Sequence, residues 1–203
     1  MRQADITTLL RLPLLLIVIY TIVARANPLI VLFAIAVLFI SDAADGYMGT
    51  QHRHTLPDFT HYLLEEAHLA KRRERKRAQA PGYAPFLDIA VDRIIEYAFW
   101  LTFTYLQILP WFVVVIIFVR NTIADALVFR KGRTFSTMES RFGRLASSHI
   151  SRGAYAIIKA VNFAYLAMVA VASWPISVGY VATTVVVAFS LLRGAAEISE
   201  ALR

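Results

Sequence analysis

Residues 33–49 read FAIAVLFISDAADGYMG. The apolar half, Phe33 to Ile40, has no polar face, so every side of a helix built from it prefers lipid or protein interior to water. It runs without a break into Asp42 and Asp45, three residues apart and followed at once by Gly46. Residues three or four apart share one helix face, so the two carboxylates project together. Acids at the end of a lipid-soluble helix are costly to place there, which makes the pair a candidate for function.

The same apolar character recurs along the chain. Runs at 9–25, 28–48, 86–109, 110–129, 154–173 and 175–193 each approach the length of about 20 residues that crosses a bilayer core of about 30 Å. Residues 111–119 (WFVVVIIFV) and 181–189 (VATTVVVAF) are apolar or uncharged on all sides, whereas helices of a soluble bundle alternate with polar faces. With 58% hydrophobic residues and a mean hydropathy of +0.58, the 203-residue chain is predicted to be an all-α integral membrane protein of six transmembrane helices. The six helices form a single domain over 1–203, with an inserted segment at 51–83.

Charge orients this arrangement. Arg2 and Arg11 precede or open the first span. Arg53 and the run from Lys71 to Arg77 follow the second; Arg130, Lys131, Arg133, Arg141, Arg144 and Arg152 follow the fourth; Arg193 and Arg203 follow the sixth. The connections RANP, ILPW and SWPIS hold only Arg25. Cytoplasmic loops collect Lys and Arg, so both termini are predicted to be cytoplasmic in a multi-pass cell-membrane protein. The net charge of +7 then meets anionic membrane lipids or phosphorylated substrates on one face. Because the basic residues flank spans, nucleic acid is not an expected partner. A signal peptide is the rival for residues 12–23, with ARA at 24–26 as its cleavage site. A long leading region containing Asp5 and the odd number of spans left after cleavage argue against it. The absence of cysteine excludes a disulfide, a thiolate metal site and a cysteine nucleophile.

The chain re-enters the membrane through YAPFLDIAVD (83–92), which carries Asp88 and Asp92 four apart. Two helices joined on the inner side are antiparallel, so the two acid pairs lie at similar depth. Four neighbouring carboxylates repel unless cations neutralise them, and all-oxygen ligands favour Mg²⁺ or Mn²⁺. A pair of such ions about 3.5–4 Å apart stabilises both the attacking and the leaving oxygen of a phosphate displacement. The alternative is that Asp42 or Asp88 is solvated at the headgroups, or paired with Arg93 or Arg53.

DAADGYMG and APFLDIAVD together resemble the signature of the CDP-alcohol phosphatidyltransferases, D-x2-D-G-x2-A-R-x8-G-x3-D-x3-D. They match it at Asp42, Asp45, Gly46, Asp88 and Asp92, and ITTLLRLPLL at 6–15 resembles that family's first helix. The resemblance implies a transferase on a six-helix membrane domain that moves a phosphatidyl group from a CDP-linked donor, usually CDP-diacylglycerol, to an alcohol with release of CMP. It implies two divalent ions on Asp42, Asp45, Asp88 and Asp92, with Asp92 also the general base, and a homodimer. Its nucleotide contacts would fall on Gly46, Gly49, Thr50, Arg53 and Ala84. The chain departs from the pattern there: Gly49-Thr50 replace A-R, Arg53 lies a turn further on, Ala84 replaces the later glycine, and the separating segment is longer by about two dozen residues. GRLASSHISR at 143–152 resembles a basic motif that holds a phosphorylated acceptor, making Arg144 and Arg152 candidates beside Arg120. Arg120 is otherwise expected to pair with Asp125 or with an acid of the third helix.

The inserted segment predicts a helix from about 57 to 80 with a basic end, suited either to an anionic membrane surface or to a solvated connection. His61, Glu65 and His68 within it have a spacing that binds transition metals, but such spacing also makes an ordinary wet helix face. Trp100, Tyr105, Trp111, Trp174 and Tyr180 are expected as interfacial anchors or packing. Two other classes of function stand beside the transferase: an ion-coupled small transporter, and a relative that binds lipid or metal without turnover.

Overall fold

The computed structural model describes residues 3–48, 84–131 and 149–201. Among them are six helices and no strand: α1 (Gln3–Val23), α2 (Pro28–Met48), α3 (Ala84–Tyr105), α4 (Trp111–Lys131), α5 (His149–Ala172) and α6 (Ile176–Ala201). The predicted helix at 57–80, with His61, Glu65 and His68, lies outside the described residues, as do Gly49, Thr50, Arg53 and Arg144.

Local chemistry sets the helix ends. Asn27 accepts the amide of Leu29 at 2.9 Å and Pro28 occupies the first helical position, a capped start for α2. α1 ends in a paired-bond turn: Ala26 N–H reaches Thr21 O at 2.9 Å and Arg25 N–H reaches Ile22 O at 3.1 Å. α3 ends the same way, with Ile108 N–H on Phe103 O and Gln107 N–H on Thr104 O, both at 2.9 Å. Arg25 and Gln107 supply the left-handed residue of these turns, and Ser173 does so after α5, with φ of 50°, 59° and 56°. That turn ends α3 at Tyr105, four residues short of the apolar run from which it was predicted. At the far end, α6 runs on to Ala201 because Gly194, Ala196 and Glu197 remain buried against neighbours.

The helices pack as a closed ring, α1–α2–α5–α6–α4–α3, and α5 also reaches across to α1 and α3. Leu15, Val18 and Ile22 of α1 and Val31, Ile35 and Leu38 of α2 recur at three- and four-residue spacing and are all buried, forming the seam of one hairpin. The middle is aromatic. Phe163 of α5 stacks on Phe99 of α3 at 4.8 Å and meets Trp100 edge-on at 4.9 Å, while Phe39 of α2 flanks Phe99 at 6.2 Å. Trp100 is thus a core residue. Tyr105, Trp111, Trp174 and Tyr180 are exposed near the end of the bundle that carries the three left-handed turns, where interfacial anchors are expected.

The exterior is apolar as well as the core, and several charges lie inside. Leu29 and Phe33 are 75% and 70% exposed, and Leu16, Trp111 and Val181 are similarly open, while Arg11, Glu96, Arg120 and Glu197 are buried. Two helices contain stretches long and apolar enough to cross a membrane, Gly153–Ala172 and Ile176–Ser199. α1 and α2 hold shorter apolar stretches, Thr8–Val23 and Pro28–Asp42. The charges of α3 and α4 (Arg93, Glu96, Arg120, Asp125) interrupt theirs.

A carboxylate pair and an interhelical ion network

Three helices meet at the first site. Arg11, two turns into α1, is buried, and its Nη2 lies 2.9 Å from Oδ1 of Asp42 on α2 and 2.8 Å from Oδ1 of Asp92 on α3. One cationic nitrogen is therefore shared by two carboxylates from different helices, and the two oxygens are no farther apart than the sum of those distances. Both aspartates are about half exposed, at 46% and 48%, so the pair opens outward while the guanidinium closes it from inside. Asp42 thus pairs with Arg11, and Arg93 turns to Asp125 and Glu96.

Of the predicted acids, Asp42 and Asp92 are brought together. α2 runs through Asp45 and Gly46, and α3 begins at Ala84 and runs through Asp88, so all four acids sit on helical backbone at the same end of two helices that both pack on α1. The side chains of Asp45 and Asp88, like that of Arg152 on α5, lie outside the described set. Among the described residues no three acid or histidine side chains gather around one point. Chemically, Asp42 and Asp92 suit a hard divalent ion: both donors are oxygen, both already share a single positive charge, and their exposure admits a hydrated cation.

One turn deeper on the same face of α3, Glu96 begins a second network. It is only 2% exposed, accepts from Lys159 Nζ of α5 at 3.1 Å, and lies 3.4 Å from Arg93 Nη1 and from the Tyr155 hydroxyl. Arg93 forks onto Asp125 of α4 through two bonds of 2.8 Å. This planar two-point match is the strong form of a guanidinium–carboxylate contact. Arg120 of α4 donates to Glu197 of α6 at 2.7 Å and to Asn121 at 2.7 Å, and Arg193 stands 3.6 Å from the same glutamate. Lys159 and Arg193 also lie 5.2 Å from the centre of the Tyr155 ring.

Arg120 therefore pairs with Glu197, and Asp125 with Arg93, in place of the expected Arg120–Asp125 pair. The terminal nitrogens of Arg120 are engaged inside the bundle. Gly194 makes room for it: a Cβ at that position would stand 2.5 Å from Arg120 Nε and 2.8 Å from its Cγ.

Arg11, Glu96 and Glu197 were not singled out by motif or spacing as site residues. Glu96 had a signal, four residues beyond Asp92 and so on the acid-bearing stripe of α3. Glu197 had only the local one of Arg193 four residues before it, and the long-range partners of Arg11 and Glu197, 81 and 77 residues away in sequence, had none.

Comparison of the chain with known protein families, with curated proteins and with solved structures finds no match. The class that fold and site define is a six-helix bundle with an apolar exterior, ion-paired helices inside and an open carboxylate pair at one end.

Proposed function

We propose that this chain is a multi-pass membrane enzyme that moves a phosphatidyl or related phospho-alcohol group from a CDP-linked donor to an alcohol, releasing CMP. CDP-diacylglycerol is the donor the resemblance favours. All six helices cross the membrane, with both termini and the carboxylate pair on the basic, cytoplasmic side. The observation that carries the proposal is the convergence of Asp42 and Asp92, from α2 and α3, on one cationic nitrogen. That convergence puts two of the four acids of the resemblance at a common centre.

In this reading Asp92 takes the proton of the acceptor hydroxyl, whose oxygen bonds to the phosphorus bearing the lipid alcohol as the bridge to CMP breaks. A hydroxyl is a weak nucleophile until a positioned base removes its proton, and the exposure of Asp92 leaves it accessible to the acceptor. Asp42, Asp45, Asp88 and Asp92 would hold Mg²⁺ or Mn²⁺, two ions by the resemblance, which neutralise charge on the departing CMP. Gly46, with no side chain, lets a diphosphate approach the helix end. Arg144 and Arg152 are proposed for the acceptor's phosphate, and a second copy of the chain as partner.

The test is CMP release from radiolabelled CDP-diacylglycerol in proteoliposomes with a panel of alcohols and Mn²⁺. Wild type is expected to release CMP with at least one acceptor, and Asp92→Asn to lose at least about a hundredfold in rate, the scale of general-base catalysis. Full turnover by the variant would remove Asp92 from the role of base.

One observation favours a second reading. Glu96, Arg120 and Glu197 are buried between helices with Lys159 partly so, as in proteins that couple ions to transport. A transporter would move ions into proteoliposomes and release no CMP. A non-catalytic relative would bind Mn²⁺ and do neither.

A further inference from the structure

Arg11 reaches both carboxylates of the site, and it does so from a third helix. Its Nη2 stands between Asp42 and Asp92, where a cation shared by their oxygens would sit. The side chain is buried at 4%, so it is held in place by the packing of α1 against α2 and α3 rather than drifting in water. A guanidinium and a divalent ion cannot occupy one space, and like charges in a partly desolvated site repel.

We propose that Arg11 is a tethered counter-ion of the metal site: it neutralises Asp42 and Asp92 when no divalent ion is bound and competes with the ion for them. The inference rests on the metal reading made above. Its physical consequence has two parts. Without metal, Arg11 holds α1, α2 and α3 together at their charged end, and its loss leaves two carboxylates facing each other. With metal, Arg11 must release at least one carboxylate, so part of the ion's binding free energy is spent displacing it.

Two readouts independent of turnover follow, both on the full chain in detergent. The first is Mn²⁺ affinity by electron paramagnetic resonance of the free ion. The second is the rise in unfolding temperature on adding Mn²⁺. Arg11→Met is expected to bind Mn²⁺ at least about tenfold more tightly than wild type, within the range of ordinary site-to-site couplings. It should also unfold at a lower temperature than wild type in chelator and gain more from Mn²⁺. Arg11→Lys keeps the charge on a single shorter point and guards against a variant that does not fold; it is expected to fall between the two. Wild type that binds Mn²⁺ while both variants bind it equally or more weakly would overturn the counter-ion role and leave the metal site standing. No Mn²⁺ binding by wild type or either variant would overturn both.

Discussion

At the scale of single residues, the chain uses long side chains to satisfy charge across helices. Arg120 shows how tightly this is built. Its end is fixed by Glu197 and Asn121, and its stem passes over Gly194. A methyl group at Gly194 would meet three atoms of that stem, from Cγ to Nε, so the guanidinium cannot yield without breaking the pair. Helix propensity alone favours alanine over glycine by about 1 kcal/mol, and overpacking costs about 1–3 kcal/mol. The second effect is expected to win: Gly194→Ala should lower the unfolding temperature in detergent, and a higher temperature would show that Arg120 is not held there. Asp42 and Asp92 were legible as members of two acid pairs, 42/45 and 88/92, expected to face each other at one end of consecutive helices. The residue that joins them was not. Arg11 reads in sequence as one more positive charge beside a span, and only the packing of α1 across α2 and α3 turns it inward.

At the scale of elements, six apolar runs foretold six helices, because a segment without a polar face can satisfy its backbone only internally. Their ends were less legible. The run from 86 to 109 stays apolar through Leu109, yet α3 stops at Tyr105 where Gln107 turns left-handed. No glycine marks that turn or those at Arg25 and Ser173; the stop signal is a proline two or three residues on, Pro110, Pro28 and Pro175, which bounds the end without fixing its residue. A side chain in this region carries strain of about 1–2 kcal/mol, more than the entropy a glycine loses, and a β-branched residue fits worst. Unfolding temperatures are therefore expected to rank Gln107→Gly above wild type and wild type above Gln107→Val. The reverse order would contradict the turn geometry. The network linking α3 to α6 was also hidden, since Glu96–Lys159 and Arg120–Glu197 each join residues more than 60 positions apart.

At the scale of the whole molecule, the distribution of polarity is the main evidence for a membrane setting. Large apolar side chains such as Leu29 and Phe33 face outward while charged ones are paired within, the arrangement expected when the surrounding solvent is lipid. The short turns and exposed aromatics gather at one end, and the carboxylate pair lies at the other. Because the chain has no cysteine, single cysteines can report topology directly. Ser173→Cys is expected to react with an impermeant maleimide added outside intact cells, and Ser136→Cys only after lysis; labelling of Ser136→Cys from outside would contradict the proposed topology. The central claim is that the carboxylates of α2 and α3 form a divalent-cation site for transfer from a CDP-linked donor. CMP release by purified wild type, measured after chelation and again after Mn²⁺ is restored, tests it most directly. Release is expected to stop in chelator, to return with Mn²⁺, and not to return in Asp42→Asn. Release that persists in chelator, or no release with any acceptor in either condition, would contradict the claim.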